Sequence, residues 1–352
     1  MNYRFFIFLV GFPQDLSYEV LSDFLQARDS NMPIEGPTNA LLEQLGDPSR
    51  SSQALLALLM KGRDGVQALV EFLRTSKPSS LPEARLMAVE GLSIVKEPEA
   101  LSALIDVAGE PLEEISDPVI RLAEQTVASR AARILGDFPN PRAREALLKL
   151  VKGKPLAGVA EAFEKSWDLR AIPHLVSWLE EDFVADAASR ALRVCGRFAF
   201  SPLIDSLAEK QIQYERETGM SQRRRARILE ILNDLIRRDE IYLIESLLND
   251  PVEAVRLNTA RAVLNRGNRA QQERAFQVAL CLLDSPERGI RALSEEILLE
   301  HFGAGPDLVE QEIQRREQDG ESTQQFFPQE STLVILLRIR KRGRELTEST
   351  NK

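Results

Sequence analysis

Residues 131–151 decide the fold. They read Ala131-Ala132-Arg133-Ile134-Leu135-Gly136-Asp137, then Phe138-Pro139-Asn140-Pro141, then Arg142-Ala143-Arg144-Glu145-Ala146 and Leu147-Leu148-Lys149-Leu150-Val151. Ala131 and Leu135 are four apart, so they share one face of a helix. Leu147, Leu148 and Val151 fall on one face of a second helix. The two patterns start 16 residues apart and are separated by Gly136 and two prolines. That spacing predicts an antiparallel helical hairpin with a short turn. The Pro141 after Asn140 suits a capped helix start, because proline fixes the first-turn backbone and gives up only an N–H that would be orphaned anyway.

Working outward, the Leu-rich pattern returns along the chain. It appears at Leu69–Leu73, Leu104–Ala108, Leu175–Leu179, Leu203–Leu207 and Leu243–Leu247, and more loosely at Ala279–Leu283 and Leu308–Glu312. A small or apolar residue with an apolar partner four positions on precedes each copy: Ala54–Leu58, Ala88–Leu92, Val159–Phe163, Ala188–Leu192, Arg225–Leu229, Thr259–Val263 and Leu293–Ile297. From the first pattern to the second the offset stays between 15 and 20 residues in all eight copies. A single hairpin cannot bury its apolar stripe, whereas stacked hairpins bury a continuous core. The expected fold is therefore all-α, an α-solenoid of about eight antiparallel hairpins. Asp47-Pro48, Asp117-Pro118, Asp250-Pro251 and Ser285-Pro286 are read as caps of first helices, and Pro98, Pro141, Pro173 and Pro202 as starts of second helices.

Composition agrees. The chain has 352 residues, with 43% apolar, 28% charged and 6% aromatic residues, which is neither a disordered nor a membrane-embedded balance. Two cysteines, Cys195 and Cys281, are too few for a disulfide scaffold or a Cys-rich zinc module. Net charge is −9, and it is uneven: residues 1–120 hold 9 Lys/Arg against 18 Asp/Glu, while the remainder is balanced. An acidic first third disfavours general nucleic-acid binding, where phosphates must meet cations.

The stretch Asp250-Pro251-Val252-Glu253-Ala254-Val255-Arg256, with Thr259-Ala260-Arg261-Ala262-Val263 after it, resembles a HEAT repeat of the bilin-lyase-like type. Pro82–Ala108 and Ala131–Asp137 resemble it too, and the likeness extends over roughly residues 40–315. The resemblance implies a HEAT-like or ARM-like array over residues 38–315. It leaves residues 1–37 as an apolar segment and capping helix, and residues 316–352 as a polar linker and basic helix. Gly109–Asp117 and Glu209–Gln222 depart from the compact repeat and read as rim insertions.

HEAT-like solenoids line a concave face with their second helices. Aligned on the repeats, the polar slot of those helices is Glu71, Asp106, Lys149, Ser177, Asp205, Glu245, Cys281 and Glu310. Glu71, Asp106, Asp205, Glu245 and Glu310 thus form an expected acidic ladder, suited to a basic peptide or protein partner. Arg223, Arg224, Arg227, Arg237 and Arg238 are a secondary basic patch, with Glu and Asp near enough in sequence to neutralise them. The expected function is a non-catalytic, cytoplasmic protein-binding scaffold or adaptor, with no cofactor and no metal. A bilin lyase or chaperone-like subunit is the alternative implied by the resemblance, and a HEAT-like DNA-repair glycosylase ranks below it. The latter rests on His174, Trp178 and Asp182 at helical spacing, yet Trp178 aligns with apolar slots elsewhere. HEAT-like iron hydroxylases carry paired His-Glu ligands, and here His174 precedes Leu175 and His301 precedes Phe302. The two cysteines read as packing residues. Membrane association through residues 5–12, which include the apolar run Phe5–Val10, is the alternative to a cytoplasmic location.

Overall fold

Each of the eight first-helix pairs lies within an α-helix, and each Leu-rich copy lies on helical turns downstream of it. The structure, a computed structural model, describes residues 36–95, 97–320 and 331–350. The run Phe5–Val10 and the linker residues 321–330 lie outside the described residues. The chain divides into two compact units, residues 1–171 and 172–352.

In the first unit, a short α1 (Thr38–Gln44) precedes α2 (Ser51–Met60), α3 (Arg63–Thr75), α4 (Glu83–Ile94), α5 (Pro98–Ala108), α6 (Pro118–Leu135), α7 (Pro141–Leu150) and α8 (Ala157–Lys165). The first helices α2, α4, α6 and α8 pack in series, and so do the second helices α3, α5 and α7. This is the two-layer stacking of a solenoid. Ala54, Ala88 and Ala131 are buried at the layer contacts, where small side chains let helices approach. At Gly158 the approach is closest: an added Cβ would lie 1.7 Å from the Ser129 carbonyl oxygen, and the Gly158 N–H donates to Ser129 Oγ at 2.8 Å.

The second unit holds α9 (Ile172–Ser177), α10 (Ala185–Cys195), α11 (Arg197–Ala208), α12 (Gly219–Leu235), α13 (Glu253–Arg266), α14 (Arg269–Leu282), α15 (Arg288–Glu300), α16 (Pro306–Gln318) and α17 (Thr332–Thr350). The first helices α10, α12, α13 and α15 again pack in series. α17 lies on α15 and α16, burying Leu333, Ile335, Leu336 and Ile339. Burial of each such side chain is worth about 1.5–3 kcal/mol.

Several local expectations need correction. Asp117 is a true cap, accepting from the N–H groups of Val119 and Ile120 at 2.8 and 3.3 Å. Asp47, Asp250 and Ser285 instead stabilise the turn ahead of the helix, accepting from the N–H groups of Ser49, Val252 and Glu287. Pro202 lies inside α11, because that helix starts five residues earlier, after Gly196 at φ +56°. The sixth second element is a pair of 3-10 segments, Arg238–Leu243 and Glu245–Asn249, rather than an α-helix. Within the insertion at 209–222, Ile212–Gln213 and Arg216–Glu217 form a two-stranded hairpin, a small β element in an otherwise helical chain.

Candidate binding surfaces

The second-helix slots all reach the surface, but they are not equivalent. Glu71 on α3, Asp106 on α5 and Asp205 on α11 are exposed, and their carboxylates have no cation partner among the described residues. Glu245 is half-buried and already engaged: Arg274 of α14 pairs with it at 2.7 Å, and Gln271 donates to it at 2.8 Å. Glu310 is likewise engaged by Arg344 at 2.5 Å and Arg340 at 3.4 Å, both on α17. Two of the five acidic rungs are thus neutralised within the chain. Their partners lie 26 to 34 residues away in sequence, on neighbouring elements.

The arginine cluster is not a surface patch. Arg224 is buried, donating to Glu180 at 2.5 Å and to the Glu209 carbonyl at 2.7 Å. Arg225 is fully buried and holds two carboxylates, Glu217 at 2.8 Å and Asp250. Arg223 and Arg227 share Asp182 at 3.2 and 2.7 Å. Arg223, Arg237 and Arg238 stand exposed, and of these Arg223 is tied to Asp182. Three consecutive helical residues point in three directions, and here each direction carries an acid. The group clamps the β-hairpin to α12. Tyr214 and Glu215 at its tip both adopt left-handed backbone, at φ 50° and 64°. Such a turn costs about 1–2 kcal/mol per non-Gly residue and persists only where its surroundings enforce it. The repeat alignment carried the signal, since Arg225 occupies the slot where four other copies have Ala. A charged residue there had to be buried and paired. Burial alone would raise the Asp250 carboxyl, but the hydrogen bonds from Arg225 and the Val252 N–H hold it below the usual range.

The first unit buries a different ionic group. Arg85 pairs with Glu110 at 2.5 Å and faces Glu124 at 3.2 Å. Glu124 also accepts from the Ser79 N–H at 3.1 Å. One guanidinium serves two carboxylates, and burial pushes the Glu124 carboxyl up.

The other candidate residues separate. Trp178 is buried in the core, while Asp182 faces the α12 arginines, so His174, Trp178 and Asp182 do not form one constellation. Cys195 is buried, as a packing residue is; Cys281 is exposed at its polar slot, which corrects that reading for it. Among the described residues no group of three His, Cys, Asp or Glu side chains could hold a metal. No helix among them is long and apolar enough to cross a membrane. The sequence reading named Lys149 as a polar slot but missed the set it belongs to: Arg142, Lys149, Lys152 and Lys154, on and just after α7, are all exposed. They are not consecutive, so a search for runs of charge passes over them.

A family model described as PBS lyase HEAT-like repeat matches residues 127–153, the stretch from the middle of α6 through α7. The crystal structure of an engineered protein is similar at 17% identity, over 93% of this chain and 95% of that one, with a TM-score of 0.34. No curated protein matches the chain.

Proposed function

We propose that this helical-repeat chain is a non-catalytic scaffold that binds another protein through its second helices, and that the α3–α5 face receives a basic segment. The observation that carries this reading is the state of Glu71 and Asp106. They occupy the same slot on two helices packed side by side, both exposed and both without a cation. Exposed acids on Glu-rich helices are commonplace, but here the equivalent acids Glu245 and Glu310 have been given arginines by their own chain. An uncompensated pair favours a basic partner by complementary potential, mainly through association rate and specificity.

The test is affinity capture from cells with wild type beside a Glu71→Lys/Asp106→Lys variant, at low and raised salt. A protein held by wild type, released by salt and lost by the variant supports the reading. A partner retained by both overturns it. Asp205→Lys, an equally exposed slot acid in the other unit, shows whether the effect is local to α3–α5.

A further inference from the structure

In the first unit the polar slot reverses sign within three packed helices. α3 presents Asp64 and Glu71, seven residues apart; α5 presents Glu99 and Asp106; α7 presents Arg142 and Lys149. α5 packs against both neighbours, and all six of these side chains are exposed. Lys152 and Lys154 extend the cationic row beyond the end of α7. None of Arg142, Lys149, Lys152 and Lys154 has a carboxylate at ion-pair distance among the described residues; Arg142 reaches only the Ser102 hydroxyl on α5, at 3.5 Å. The nearby acids Glu145 and Asp168 are both held by Arg170, at 3.0 and 2.9 Å. Those two carboxylates are thus spoken for, and four cations face solvent.

We infer that the α7 row is a docking site for an acidic protein segment in extended conformation. This site is separate from the α3–α5 face proposed above and stands without it. The row is narrow. Arg142 and Lys149 are about 10 Å apart along the helix axis, since an α-helix rises about 1.5 Å per residue. The acidic α5 lies beside it at the usual helix spacing of about 8–10 Å. A membrane surface or a nucleic-acid duplex is wider than that and would bring its phosphates against Glu99 and Asp106. α7 and the loop after it also carry no exposed large apolar side chain that could enter a bilayer. A strand-like peptide fits within the row. Its alternate side chains repeat at about 7 Å, so carboxylates at every second position run along one edge and can meet successive cations.

The experiment uses the full chain and a fluorescein-labelled peptide of alternating Asp and Ser, followed by anisotropy at low and raised salt. An Arg142→Glu/Lys149→Glu/Lys152→Glu/Lys154→Glu variant removes the row; Lys149→Gln/Lys152→Gln/Lys154→Gln is the milder companion, and all these positions are exposed. The expected result is salt-sensitive binding to wild type, weakened about tenfold or more by the charge reversal and less by the neutral variant, as four exposed ion pairs would give. A Lys-Ser peptide of equal length must not lose binding on the α7 changes. Absence of Asp-Ser binding to wild type, or equal binding to the variants, overturns the inference. So does a surface that takes phosphatidylserine-rich vesicles or a DNA duplex in preference to the peptide.

Discussion

The two units differ in how their clusters of charge are matched. In the second, Arg225 lies between Glu217 and Asp250 with Lys210 near, and the slot acids Glu245 and Glu310 carry arginines, while Asp205 carries none among the described residues. In the first, the match is incomplete both inside and out. Arg85 serves two carboxylates, the buried Glu124 and the partly exposed Glu110, and Glu71, Asp106 and the α7 cations have no ionic partner among the described residues. The same repeat chemistry therefore yields slot acids spent on the architecture, Glu245 and Glu310, and slot acids with charge to offer, Glu71, Asp106 and Asp205. Repeat position and charge availability are separate properties.

That contrast can be broken most severely at Arg225. Replacing it by leucine leaves Glu217 and Asp250 buried without their shared cation, and uncompensated buried charge costs about 3–5 kcal/mol. Denaturant melts should show a loss of that size, and hydrogen exchange should place it in α12 and the β-hairpin. A stability change under about 1 kcal/mol would mean that the matched cluster is replaceable by packing.

A subtler difference is the response to pH. Glu124 has a raised folded-state pKa, so it binds its proton more tightly folded than unfolded. Its ionisation costs stability as pH rises through that folded value, and acidification recovers the loss until the unfolded value of about 4.3 is reached. Asp250 is lowered, so its contribution is present above its unfolded value of about 3.9 and fades as pH falls through its folded one. The stability difference between wild type and Glu124→Gln should therefore grow as pH falls from neutral and level off below about 4.3. For wild type against Asp250→Asn, the difference should shrink on acidification. If both pairs behaved alike, the one-for-two and matched clusters would be electrostatically equivalent.

The smallest expected effect lies at the surface. Glu310→Ala removes two partly exposed pairs with α17, for a loss of about 0–1 kcal/mol in a thermal melt. Glu71→Ala removes none and should stay within about 0.5 kcal/mol. Equal losses would erase the distinction between engaged and available rungs.

These differences bear on what the sequence could reveal. The eight hairpins were legible because each copy repeats a local signal of small and apolar residues at helical spacing. Local turn chemistry was less so: Pro202 reads as a start, yet Gly196 with its left-handed backbone starts α11 earlier. The 3-10 character of 238–249 also had no distinct pattern. The slots Glu71, Asp106 and Asp205 were correctly placed at the surface by periodicity. The occupancy of Glu245 and Glu310 was hidden, since Arg274, Arg340 and Arg344 come from other elements and only packing brings them in. Arg224 was misjudged as surface charge for the same reason.

Helix α17 has one more effect. It seals the last hairpin so closely that a Cβ on Gly343 would come within 2.3 Å of the Phe302 ring. A repeat array without such a seal presents at its end the same apolar face that its internal hairpins present to each other, and a second copy could stack there. Leu333, Ile335, Leu336 and Ile339 occupy that face, and Arg340 and Arg344 fasten the helix to Glu310. In evolutionary terms, α17 makes an insertion of hairpins ahead of it the route that keeps this seal intact.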